Sequence, residues 1–177
     1  METIISTLVG ILIGAGLTCW STYKQLKEMR KIQEDERRVA MRALLLELED
    51  NSTYIEATLG FLQQGGHAGK QGTYTWTWNI PHTEAYEKYL VLACEGDLTL
   101  TETIVTIYSQ IEAIKITTQY IHNLLANNLI ECHTTPAKGA LLAGEVTQRN
   151  KEIGNICTAI RNPVEELIRK LSDRLCL

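Results

Sequence analysis

From Thr3 to Tyr23 the chain carries no charged residue, and Lys24, Lys27, Arg30, Lys31, Arg37, Arg38 and Arg42 follow directly. At about 1.5 Å per helical residue the uncharged run covers a hydrocarbon core of roughly 30 Å. A cleaved signal peptide needs positive charge ahead of its apolar run, and Glu2 is the only charge there. Gly16-Leu17-Thr18 ahead of Cys19 is unlike a cleavage or lipidation site. The run therefore reads as a single N-terminal transmembrane helix over residues 1–23, with its C-terminal side cytoplasmic by the positive-inside rule. Trp20 and Tyr23 stand where an interfacial aromatic belt belongs.

Within this expected anchor, Thr3, Thr7, Gly10, Gly14, Thr18 and Ser21 recur at three- and four-residue spacing, which places them on one helix face. Ile5, Leu8, Val9, Leu12, Ile13 and Leu17 fill the other side. Small residues let helices approach closely, and Gly10-x-x-x-Gly14 is such a pattern. The stripe fits oligomerisation of the anchor or the lining of a pore. It also fits the ordinary frequency of Gly and Thr in membrane helices.

No Gly or Pro occurs between Gly16 and Gly60, so the anchor is expected to continue into a charged juxtamembrane helix, residues 24–44, without a flexible linker. Glu34 and Arg38 have the favourable i,i+4 order. The early basic group, Lys24, Lys27, Arg30 and Lys31, suits anionic headgroups, and the whole segment also suits a solvated stalk.

Residues 45–177 read as a cytoplasmic four- to five-helix bundle, giving an all-α fold. Leu45, Leu48, Ile55, Leu59 and Leu62 form an apolar stripe that needs a partner. Gly65, Gly66, Gly69 and Gly72 open a Gly/Trp-rich loop at 63–82. Its segment Thr73–Trp78 alternates with period two, as a short extended piece would. Trp76 and Trp78 are suited to capping the bundle or to holding a ligand. A short helix is expected from about His82 to Ala93, ending near Gly96. Ile104, Ile107, Ile111, Ile114, Ile121 and Leu125 then keep heptad register to a stop at Asn127-Asn128. Thr135-Pro136 reads as N-cap and first helical position. Ile153, Ile156, Ile160, Val164, Leu167, Leu171 and Leu175 run through Pro163, which predicts one kinked helix or two abutting ones.

Chemistry is sparse in this sequence. Formal net charge is −4, which gives no general attraction to nucleic acid. The five cysteines, Cys19, Cys94, Cys132, Cys157 and Cys176, lack metal-ligand spacing and read as reduced thiols. Cys132-His133 is the nearest approach to a metal pair, so neither a metal nor another cofactor is expected. Phosphate-binding loops, zinc-protease helices and nucleophile elbows are missing as motifs. The histidines, His67, His82, His122 and His133, lie in no sequence context that suggests an activated nucleophile. The chain reads as a protein other than an enzyme.

One segment, Arg161-Asn162-Pro163-Val164-Glu165-Glu166-Leu167, resembles a decayed R-N-x-x-x-x-H motif of the HEPN ribonucleases, helical bundles that cut RNA as dimers. In that family Arg and His from two protomers meet at the dimer seam, polarise the phosphate and shuttle protons. Here Leu167 stands at the histidine position, and no His follows His133. The resemblance leaves Arg161 and Asn162 as a remnant without the base.

The whole layout, one N-terminal anchor and a degenerate HEPN-like bundle, resembles the small accessory membrane proteins of type VI-B CRISPR systems. The resemblance implies a homo-oligomeric pore in the bacterial cytoplasmic membrane, acting beside an RNA-guided, RNA-cutting effector and depolarising the cell in antiviral defence. The lipid bilayer, the effector and its RNA are the partners it implies. A membrane-tethered HEPN-type ribonuclease and a membrane-bound scaffold or sensor are the alternatives.

Overall fold

The computed structural model describes residues 2–63, 80–134 and 136–176, with side chains for 14–63, 80–127 and 137–176. Four helices, α1 (Glu2–Gln63), α2 (Glu84–Ala93), α3 (Leu98–Thr134) and α4 (Pro136–Leu175), make an all-helical chain with no strand among the described residues. The alternating segment 73–78, with Trp76 and Trp78, lies outside them.

The chain divides into two units, Met1–Val39 and Ala40–Leu177. In the first, residues 14–36 of α1 are exposed throughout. Thr18 Oγ1 donates to the Gly14 carbonyl at 2.8 Å and Thr22 Oγ1 to the Thr18 carbonyl at 2.9 Å, so these hydroxyls spend their protons within the helix. Among the described residues no helix is long and apolar enough to cross a membrane. The side chains of residues 1–13, most of the uncharged run, lie outside the described ones. The anchor therefore rests on the sequence.

The second unit holds the core. From α1, Ala40, Leu44, Leu45, Leu48 and Ile55 are buried; α3 contributes Ile104, Ile107, Tyr108, Ile111, Ile114 and Ile121. Ile153, Cys157, Ile160, Val164, Leu167 and Leu171 come from α4. Both α3 and α4 present seams at alternating three- and four-residue spacing, the pattern of near-antiparallel helix packing. Thr118 occupies the α3 seam position between Ile114 and Ile121 and is fully buried. Its Oγ1 lies 3.4 Å from the Tyr54 hydroxyl, which removes part of the cost of burying it.

One helix end differs from the sequence expectation. α3 does not stop at Asn127-Asn128 but continues to Thr134. Asparagine costs a helix interior only about 0.7 kcal/mol relative to alanine. Pro136 opens α4, in agreement with its assignment to a first helical position. α4 is one helix with Pro163 inside it. Proline removes the N–H that the Ala159 carbonyl would accept. Ala159 and Pro163 are both exposed, so water reaches this carbonyl, while Ile160 and Val164 stay in the core.

Between α2 and α3 the chain turns through Gly96 at φ +78°, a conformation that glycine adopts without steric cost. Asp97 then caps α3, its Oδ1 accepting the Leu100 N–H at 2.9 Å. The same carboxylate pairs with Arg174 near the end of α4.

Candidate functional site

The remnant motif lies on α4, and the helix spacing splits it between surface and core. Arg161 is half exposed, and its Nε pairs with Glu56 of α1 and, at 3.8 Å, with Glu165. Leu167, at the position of the family's histidine, is fully buried. With Asn162 it borders a cleft between α3 and α4, so an imidazole there would sit at the buried floor of that cleft, on a different helix face from Arg161. The register that makes Leu167 a core residue removes the general base from any site built on Arg161.

Asn162 and Pro163 border an open cleft of about 400 Å³ between α3 and α4, with Thr103, Thr106, Glu166 and Lys170 on its walls. Lys170 donates to Glu166 at 2.8 Å, and this hydrogen bond holds the Glu166 carboxyl below its usual range. Among the described residues no group of three or more His, Cys, Asp and Glu is placed to hold a metal ion. The side chains of Cys132 and His133 lie outside them.

A second polar constellation was missed by the sequence reading. Thr83 stands at the N-cap of α2, yet its side chain makes no capping bond. Glu47 of α1 caps this helix instead, with Oε2 accepting the Ala85 N–H at 2.6 Å and Oε1 the Tyr86 N–H at 3.1 Å. One turn further on, Asn51 grips the backbone of His82: its Oδ1 accepts the N–H at 2.9 Å, and its Nδ2 donates to the carbonyl at 2.7 Å. Lys115 of α3 donates to Thr83 Oγ1 at 2.8 Å. The rings of Tyr86 and Tyr108 stack with centroids 4.2 Å apart. Burial and the neighbouring Glu47 carboxylate hold the Tyr108 hydroxyl protonated far above the usual tyrosine range.

Glu47 and Asn51 share the helix face of Leu44, Leu48 and Ile55. Polar residues at apolar spacing were the signal available in the sequence. Glu47, Asn51, Thr83 and Lys115 are spent on holding residues 82–86 against α1 and α3, whereas the buried Tyr108 hydroxyl has no hydrogen-bond partner among the described residues.

Of the anchor stripe, the side chains of Thr3 and Thr7 and the surroundings of Gly10 lie outside the described residues. Gly14, Thr18 and Ser21 are exposed, with open space around Gly14. Lys24, Lys27, Arg30 and Lys31 are exposed as well. No family model, no curated protein and no solved structure matches this chain.

Proposed function

We propose that the chain is a single-pass membrane protein whose copies assemble into a pore, and that it acts as an accessory effector in antiviral defence beside an RNA-guided, RNA-cutting nuclease. One observation carries the reading furthest: a single helix, α1 (Glu2–Gln63), contains both the uncharged segment and the core residues Leu48 and Ile55. In the sequence, its uncharged residues 3–23 have the length of a membrane span, and its C-terminal part belongs to a packed bundle. Copies would associate through Thr3, Thr7, Gly10, Gly14, Thr18 and Ser21, with the bundles setting the subunit number. An uncharged polar lining would conduct ions with little selectivity, unlike filters built from charged rings. The burial of Leu167 supports a non-enzymatic role, because the HEPN-type mechanism has no base at this position. The cytoplasmic membrane and the type VI-B context come from the resemblance in layout.

The test is the oligomeric mass of the full-length protein in mild detergent, followed by planar-bilayer recording. A discrete large homo-oligomer with conductance is expected, and Gly10→Leu or Gly14→Leu should abolish conductance while the protein still inserts. A monomer without conductance would remove the pore and leave the scaffold.

A further inference from the structure

The exposed part of α1 carries its charges in two blocks. Lys24, Lys27, Arg30 and Lys31 come first, interrupted only by Glu28; Glu34, Asp35 and Glu36 follow. At 100° per residue the four cations fall on an arc of about 120°, and they span about 10 Å along the helix. Among the described residues none of the four makes an ion pair or a side-chain hydrogen bond, although Glu28, Glu34 and Asp35 stand four residues beyond Lys24, Arg30 and Lys31. In the bundle, by contrast, Lys115, Arg149, Arg161, Lys170 and Arg174 all have acidic partners.

A base placed four residues before an acid is the less favourable order for a helical pair, although in the bundle Arg161 reaches Glu165 in that order at 3.8 Å. The Cα–Cβ bonds of a helix tilt toward its N-terminus. The four long side chains therefore lean back toward Trp20 and Tyr23, which are themselves exposed large aromatics.

We propose that Lys24, Lys27, Arg30 and Lys31 form a binding surface for the headgroups of anionic phospholipids. The inference rests on the membrane-anchored reading and adds to it a lipid class and a site. Charge complementarity favours an anion. The axial extent selects the source, since about 10 Å is close to the Debye length of about 8 Å at physiological ionic strength and comparable to a headgroup layer. A nucleic acid lying along the helix would run into Glu34, Asp35 and Glu36 within one further turn. Flexible amphipathic stems let the cations reach the interface while their methylenes cover the apolar surface near Trp20 and Tyr23.

The experiment uses the full-length protein in phosphatidylcholine vesicles carrying trace spin-labelled phosphatidylglycerol or spin-labelled phosphatidylcholine. The immobilised fraction of each label reports its relative affinity for the protein surface. Wild type should favour phosphatidylglycerol several-fold at low salt, with the preference falling toward unity at about 1 M salt. The variant Lys24→Gln/Lys27→Gln/Arg30→Gln/Lys31→Gln should show no preference, while Glu34→Gln/Glu36→Gln should retain it. Equal affinity for the two labels in wild type, or an unchanged preference in the quadruple variant, would overturn the proposal. Displacement of the label by poly-uridylate would assign the surface to RNA and also overturn it. Carbonate extraction separates the two failures: retention in the vesicles without lipid preference defeats this surface alone, whereas release from them defeats the anchored reading as well.

Discussion

The Glu47 carboxylate accepts the Ala85 N–H at 2.6 Å, so that a side chain of α1 serves as the N-terminal cap of α2. Thr83 holds the local capping position, but its hydroxyl donates to Glu87 and accepts from Lys115. The cap of a ten-residue helix thus depends on tertiary structure. α2 is shorter than the length at which isolated helices become marginal in water, so its formation is tied to docking on α1 and α3.

Glu47→Ala and Asn51→Ala are each expected to lower stability by about 1–3 kcal/mol, because each leaves backbone groups of residues 82–86 without buried partners. Asn51→Asp keeps the acceptor for the His82 N–H and loses the donor to its carbonyl, so its cost should not exceed that of the alanine variant by more than the burial of the new charge. Denaturant unfolding of the purified protein, with near-ultraviolet circular dichroism reporting the Tyr86–Tyr108 stack, measures the loss. Unchanged midpoints in both alanine variants would show that the clamp contributes nothing.

Gly154 meets Leu62 closely, since a Cβ there would lie 2.7 Å from Leu62 Cδ1. That atom ends a flexible side chain, and alanine gains about 1 kcal/mol of helix propensity over glycine. Gly154→Ala should therefore be close to neutral, whereas Gly154→Leu should cost about 1–3 kcal/mol by overpacking. The combination of Gly154→Leu with Leu62→Ala should recover part of that loss in a double-mutant cycle. Strict additivity would argue against this contact.

Burial pushes the Cys157 thiol up to about 12, from 9.0 for an unperturbed thiol. Iodoacetamide at neutral pH should label exposed Cys176 and leave Cys157 unmodified until denaturant is added. The raised pKa values of Cys157, Tyr54 and Tyr108 also set the alkaline behaviour. In the unfolded chain these groups lose protons near pH 9 and 10, while the folded protein still holds them. The unfolded state then binds fewer protons, and stability should fall as pH rises above about 9. A midpoint constant from pH 8 to 11 would contradict this.

Arg161→Ala removes a half-exposed ion pair with Glu56 and should cost at most about 1 kcal/mol. Leu167→His, by contrast, places a polar ring in the α3–α4 seam and should cost about 2–5 kcal/mol. Neither wild type nor Leu167→His is expected to cleave a fluorogenic RNA. Cleavage by wild type that Arg161→Ala stops would reinstate the ribonuclease alternative.

The helical class, the apolar seams of α3 and α4, and the opening of α4 at Pro136 were legible in the sequence. Each is a local or periodic property: a 3.5-residue repeat of Ile and Leu must bury one face wherever the partner comes from. The same periodicity places Leu167 among the seam residues. It did not give the end of α3, because asparagine is too weak a helix breaker to decide a boundary by itself.

Tertiary structure alone decided which polar groups meet. Glu47 lies 38 residues from Ala85, Asn51 31 from His82, and Tyr54 64 from Thr118. No local preference encodes such pairs, since a buried carboxylate or amide is satisfied only after separate helices have packed. The uncharged run, the basic block and the order of the charges along α1 belong to the sequence by itself, for they follow from composition and spacing along one helix. The pairing of Arg161 with Glu56 and the loss of position 167 to the core belong to the fold, because they depend on where α1 and α3 lie against α4.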